Sequence, residues 1–213
     1  MSVQHPTFGT ISLAKISSAL KANSLNLDYG ACRVKVMASG TRFEESLKLV
    51  YRAFQFIEDE AFFDFHVRLH PGSVARRLIR PTVHFTIDGV HPFDPFPLSD
   101  ALPMYEWGVN WCFAQRFNQY VLLHAGALAL GDRAVIMAAV PGSGKSTLSA
   151  ALMLRGFRLL SDEFGVLDPD TGNLLPMLKP VALKNRSIQV IRSFSNDAWL
   201  GPTFKGTRKG DVA

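Results

Sequence analysis

Seven consecutive residues, Pro141, Gly142, Ser143, Gly144, Lys145, Ser146 and Thr147, have the types and order that grip phosphate. Glycines let successive backbone N–H groups turn into one concavity. At the start of a helix such a nest binds phosphate oxygens. Lys145 is placed to reach β- and γ-phosphates, and the Ser146 hydroxyl to ligate Mg²⁺. The pattern G-x-x-x-x-G-K-[ST] is met except at its first position, where Ala139 stands. Alanine is the smallest replacement, but its Cβ resists positive φ, so the loop is expected to survive with a slightly altered start. Farther along come Asp162 and Glu163. Carboxylates beside a phosphate loop hold Mg²⁺ or take the proton of an attacking hydroxyl. His124 precedes the loop.

These groups need elements to position them. Ala134–Val140 is a short apolar run stopped by Pro141, which reads as a strand buried on both faces of a parallel sheet. Lys145–Arg155 reads as a helix with Leu148, Ala151, Leu152 and Leu154 on its apolar face and Gly156 just past its end. Phe157–Leu160 reads as the next strand. In an open α/β sheet ligands sit beyond the carboxyl ends of strands, which brings Asp162 and Glu163 beside the loop. The blander alternatives are a glycine turn before an ordinary helix and a solvated acidic loop. For His124, a structural and a functional role stay equally open.

The chain has 213 residues, enough for one large domain or two small ones, and 47% of them are hydrophobic, which suits a globular core. A net charge of +5 suits phosphate ligands or an acidic partner and is too small to argue for nucleic acid. Cys32 and Cys112 stand alone rather than in a C-x-x-C pair, so two buried reduced thiols in a cytosolic protein are expected. No apolar run has the length of a membrane span, and MSVQHPTFGT lacks the features of a signal peptide.

The remainder divides at His91–Pro97, a proline-rich linker that is neither helix nor central strand. Residues 1–97 read as an α+β module. In it Ile11–Ala22 is a short helix or a loop. Leu27–Met37 is a strand, and a helix starts at Thr41 as cap with Glu44 three residues on. Phe62–Leu69 alternates as a half-buried strand, Val74–Ile79 is another strand, and Val83, Phe85 and Ile87 alternate again. His66 and His84 read as surface residues on the polar sides of strands. In residues 98–213, Leu98–Phe117 reads as a helix and Tyr120–Leu130 as a strand that forms a hairpin with the loop strand through Gly131-Asp132. Asp168–Asn173 is a hairpin turn. Val181–Leu183 is a strand, Ser187–Arg192 a helical turn or strand, and the end from Asn196 is irregular.

Three stretches in one order carry a resemblance: His124-Ala125-Gly126, then AAVPGSGKST, then LMLRGFRLLSDEF, together spanning Tyr120–Gly165. They resemble the HPr kinase/phosphorylase family, and more closely the bacterial HPr-kinase-related proteins. The likeness departs at Ala139, at Glu163 where the family usually has a second aspartate, and in lacking the family's later glycine-rich substrate loop. The chain ends at Ala213, short for a complete doubly covered sheet, so either a piece of a longer protein or a reduced variant is expected.

The resemblance implies a phosphate-loop, HPr-kinase-like α/β domain behind the smaller α+β module. It implies a cytoplasmic, ATP- and Mg²⁺-dependent kinase acting on a serine hydroxyl of a protein substrate, without nucleic acid or membrane as partner and with a homo-oligomer allowed. Backbone amides of Gly142 to Ser146 would cradle the phosphates and Lys145 neutralise the transferring group. Ser146, Asp162 and Glu163 are the Mg²⁺ candidates. Asp162 is the candidate base, with His124 orienting it or sharing the proton. A small-molecule kinase or NTPase and a non-catalytic nucleotide sensor are the competing readings. An ABC-transporter-type ATPase is disfavoured, because no LSGGQ-like signature follows the loop.

Overall fold

The structure is a computed structural model and describes residues 5–59, 62–73, 80–207 and 210–213. The strand expected at Val74–Ile79 lies outside the described residues. The chain is mixed α/β and forms two compact units, one of Met1–Asp28 and Cys32–Gln115, the other of Tyr29–Ala31 and Arg116–Ala213.

The first unit is built on a six-stranded sheet. Its strands are β1 (Leu25–Asp28), β2 (Arg33–Ala38), β3 (Ile57–Glu58), β4 (Phe65–Pro71), β5 (Thr82–Ile87) and β6 (Phe96–Pro97), ordered β3-β1-β2-β4-β5-β6. Among the described residues of this sheet, only β2 and β4 pair in parallel. A parallel pair needs a crossover, and α2 (Phe43–Val50) lies in it. Alternation decides which face is buried. Val34, Val36, Phe65, Val67, Leu69, Val83 and Phe85 are enclosed, each worth about 1.5–3 kcal/mol of transfer free energy. Lys35, His66, Arg68, His70 and His84 occupy intervening positions.

Among the described residues, three α-helices pack in this unit. In α1 (Leu13–Ala22) the Ser12 side chain accepts from the Lys15 amide, and Asn23 closes the helix in the left-handed conformation. In α2 the expected Thr41 cap does not form. Arg42 is the capping residue, at φ 54° and without a side-chain bond, while Thr41 is buried. Helix α3 (Ala101–Arg116) packs Tyr105 against Phe43, ring centres 5.0 Å apart, and Gly108 against the Phe85 ring. These contacts place α3 with the first unit, so the division falls after Gln115 rather than at residue 97. His91–Pro97 is no free linker either. Phe93 packs against Phe85 and Trp107, and Phe96–Pro97 extends the sheet edge. The expected strand Leu27–Met37 is two strands, β1 and β2, paired antiparallel.

In the second unit, Tyr120–Leu130 is likewise two strands. β7 (Val121–Leu123) joins β11 (Gly165–Leu167) and β12 (Leu174–Leu175), whereas β8 (Ala125–Leu130) joins β9 (Arg133–Ala138) and β10 (Arg158–Ser161). The order is β10-β8-β9, with both outer strands antiparallel to β8. The strand before the glycine loop, β9, is therefore not a doubly buried strand of a parallel sheet. It is an exposed edge, with Val135 47% and Ile136 39% accessible. A short apolar run has the same composition in either place, and its partners come from far along the chain.

Helix α4 (Lys145–Met153) follows the loop and packs against β8 and β10. Leu148 on its expected apolar face is half exposed. Val181–Leu183 forms no strand, and of the helical turn or strand expected over Ser187–Arg192 the structure has a helix, α5 (Arg186–Phe194). The end is more regular than its composition predicts, because β13 (Phe204–Thr207) and β14 (Gly210–Val212) pair antiparallel. Cys32 and Cys112 are buried, and no disulfide joins them. Among the described residues no helix is long and apolar enough to cross a membrane.

Candidate functional site

Because β9 and β10 both run antiparallel to β8, they run parallel to each other on its two sides. Their carboxyl ends, which carry the glycine loop and the acid pair, share one end of the sheet. The amino end of β8 lies there too, and His124 stands immediately before it. The antiparallel arrangement thus gathers the same three stretches that a parallel sheet was expected to gather.

The loop is held by its own backbone. Gly142 and Gly144 have φ of 84° and 95°, in the left-handed region, and a Cβ at either would meet open space. Conformation, not crowding, requires glycine at both. Gly144 is the capping residue of α4, so the first amides of the helix face the loop. Ala139 is absent from the positive-φ residues, so alanine is unstrained where the pattern has glycine. Its carbonyl accepts a hydrogen bond from Lys145 Nζ at 2.5 Å.

Asp162 is only 7% exposed. Burial is the main cause that lifts its carboxyl to about 6, and the nearby Glu163 carboxylate adds to it. The Ser146 and Ser149 hydroxyls and the Lys184 ammonium oppose the shift. Those hydroxyls approach without completing the site's polar pairing, since Asp162 Oδ1 and Ser149 Oγ have no hydrogen bond of good geometry. A buried carboxylate oxygen left unpaired is costly and is an opening for a cation or a donor. The Ser161 hydroxyl accepts from the Glu163 and Phe164 amides, at 3.3 and 3.1 Å, and so shapes the turn that presents both acids.

His124 is largely exposed and points its Nδ1 at Glu163 Oε2, 4.0 Å away. It pairs with the second acid of the two. Thr147 is drawn away from the loop, because its hydroxyl donates to Ser187 Oγ on α5 at 2.9 Å. The structure thus brings Lys145, Ser146, Asp162, Glu163 and His124 to one end of the sheet, and gives Thr147 a helix-to-helix contact. Pro141 and Ser143 complete the loop, and the Ser143 amide donates to the Val140 carbonyl at 3.2 Å.

Beside the site stand Ser149 and Lys184, which carry no motif, and Gly126, the last residue of the His124-Ala125-Gly126 stretch. Ser149 approaches Asp162 from one turn along α4. Gly126 on β8 makes room for it, since a Cβ there would lie 2.9 Å from Ser149 Oγ and 3.1 Å from Met137 Cε. Lys184 is the cation that lowers Asp162. For Ser149 the sequence signal is its spacing four residues after Lys145, and Lys184 has none.

For a divalent cation the donors present are the Ser146 hydroxyl and the Asp162 and Glu163 carboxylates. Among the described residues no three His, Cys, Asp or Glu side chains form a metal cage. Mg²⁺ does not require one, because it is usually bound through one or two carboxylates plus substrate phosphates and waters. The unpaired Asp162 Oδ1 fits that donor set. Comparison of the chain with family models, curated proteins and solved structures returns no match.

Proposed function

We propose that the second unit is an ATP-dependent kinase of the HPr-kinase type, which transfers the γ-phosphoryl group to a serine hydroxyl of a protein. The observation that carries this reading is Asp162, a buried carboxyl raised to about 6 with an unpaired oxygen, near Ser146 at the start of the phosphate-loop helix. A general base works best when its pKa lies near the working pH. The choice of serine and of a protein acceptor rests on the likeness of His124–Gly126, AAVPGSGKST and LMLRGFRLLSDEF to that family.

In this reading the amides of Gly142 to Ser146 hold the β- and γ-phosphates, and Lys145 leaves the Ala139 carbonyl to meet them. Asp162 takes the proton of the acceptor hydroxyl as its oxygen attacks the γ-phosphorus. The bond from that phosphorus to the bridging oxygen breaks, and ADP leaves. His124 orients Glu163. Mg²⁺, when bound by Ser146 and Glu163, would supply neutralisation of the phosphate charge.

Incubation with γ-labelled ATP and Mg²⁺, with and without cell extract, tests the proposal. Label on serine of a protein is expected. Label released only as free phosphate indicates an NTPase, label on a small molecule indicates a metabolite kinase, and no turnover with retained ATP binding indicates a nucleotide sensor.

A further inference from the structure

The first unit has a recess of its own, on the polar side of β4 and β5. It holds about 210 Å³ and is lined by His66, Arg68, His70, Thr86, Gly89 and His91. The pleat explains the grouping. His66, Arg68 and His70 alternate along β4, and the register sets His70 opposite His84 and Arg68 opposite Thr86. The His70 and His84 rings stack 5.2 Å apart, and His91 stands edge-on to them at 5.7 and 6.3 Å.

The charges around these rings are mostly positive. Lys35 on β2 is registered beside His66, and Arg68 follows it on β4. Among the described residues no carboxylate lines the recess. The nearest acid, Asp88, spends its Oδ1 on the His66 amide at 3.1 Å. His66 Nε2 donates to Asn23 Oδ1 at 2.7 Å. Desolvation, with the Arg68 and Lys35 charges, holds the His66 ring below its ordinary value against the opposing pull of Asp88. Placing imidazoles beside an arginine and a lysine is unfavourable for the free protein as they protonate, and an anion relieves it.

We propose that this recess binds a multiply charged oxyanion, of the size of a di- or triphosphate group, held by Arg68 and the protonated rings of His70 and His91. Its volume is below the roughly 300–1,000 Å³ of a drug-sized ligand pocket, which suits a compact anion better than a nucleoside. A metal is the competing occupant of clustered histidines. The nearly parallel His70 and His84 rings, 7° between planes, do not converge on one ion, and no metal cage is found among the described residues. Histidine changes charge between about pH 5 and 8, so the anion binds more tightly as pH falls.

The test is tripolyphosphate titration of the whole chain, read on the imidazole ring resonances, which separate this recess from the glycine loop. Expected are saturable shifts of His70 and His91 at pH 6. Affinity should be at least tenfold weaker at pH 8, tenfold weaker in Arg68→Gln, and partly restored in Arg68→Lys. Arg68 is exposed, so these variants should fold, and a melting curve checks it. Absence of saturation at pH 6, or equal affinity in Arg68→Gln, overturns the proposal. So does one equivalent of Zn²⁺ shifting the same rings where tripolyphosphate shifts none.

Discussion

Lys145 Nζ donates to the carbonyl oxygen of Ala139, 2.5 Å away, and so ties the first residue of α4 back to the residue that directly follows β9. A phosphate in the loop must draw the ammonium off that carbonyl. The exchange is favourable because a charge-assisted bond to phosphate is stronger than one to a neutral carbonyl.

Lys145→Ala should therefore weaken ATP binding while leaving stability nearly unchanged. Loss of a charged hydrogen bond costs about 1.5–3 kcal/mol, or about 10- to 150-fold in affinity. Calorimetric titration with ATP beside a melting curve measures both. ATP affinity equal to that of the unmodified chain contradicts the loop as drawn.

Asp162 makes a stability prediction of unusual sign. Its folded carboxyl titrates at about 6 against an ordinary value of 3.8. Between those values the folded state binds more protons than the unfolded one, so its contribution to stability is lost as pH rises through that window. Asp162→Asn removes the buried charge. It should raise stability at pH 7.5 by on the order of 2 kcal/mol and have less effect near pH 4. Urea unfolding at the two pH values checks this, and equal destabilisation at both would mean that the carboxylate is structurally required.

Gly126→Ala should destabilise the second unit by about 1–3 kcal/mol, the usual range for overpacking, because the new methyl meets Ser149 Oγ and Met137 Cε. Adding Ser149→Ala should recover part of the loss. A double-mutant cycle measures the coupling, and strict additivity of the two changes contradicts the close approach.

Gly108→Ala tests the first unit. In an exposed helix interior alanine would be better than glycine by about 0.5–1 kcal/mol. Here the Cβ would lie 2.3 Å from the Phe85 ring, so destabilisation is expected. A higher melting temperature for the variant contradicts the packing of α3 on the sheet.

The parts of the fold that the sequence foretold are those with local causes. Gly142, Gly144 and Lys145 announce the loop because backbone conformation and charge are properties of the segment itself. Alternation along Phe65–Leu69 and Val83–Ile87 announces β4 and β5 for the same reason. Pairing is not local. The apolar residues of β9 are compatible with a central parallel strand or an exposed edge, and only partners distant in sequence decide. The break at His124 is hidden in a continuous apolar run, because its two halves join different sheets. Ser149 and Gly126 matter through a close approach between α4 and β8, which no spacing reveals. The proline-rich segment misled because Phe93 and Phe96 supply packing that its prolines concealed.

The most direct test of the central proposal is phosphoryl transfer by Asp162→Asn, with ATP affinity measured on the same preparation. The substitution keeps shape and hydrogen-bonding reach but removes the group that takes the proton. Transfer from γ-labelled ATP to protein should fall by about a hundred- to ten-thousand-fold, while ATP affinity changes only a few-fold and added Mg²⁺ does not restore the rate. Transfer at near the unmodified rate would contradict Asp162 as the base, and recovery in excess Mg²⁺ would reassign it to holding the metal.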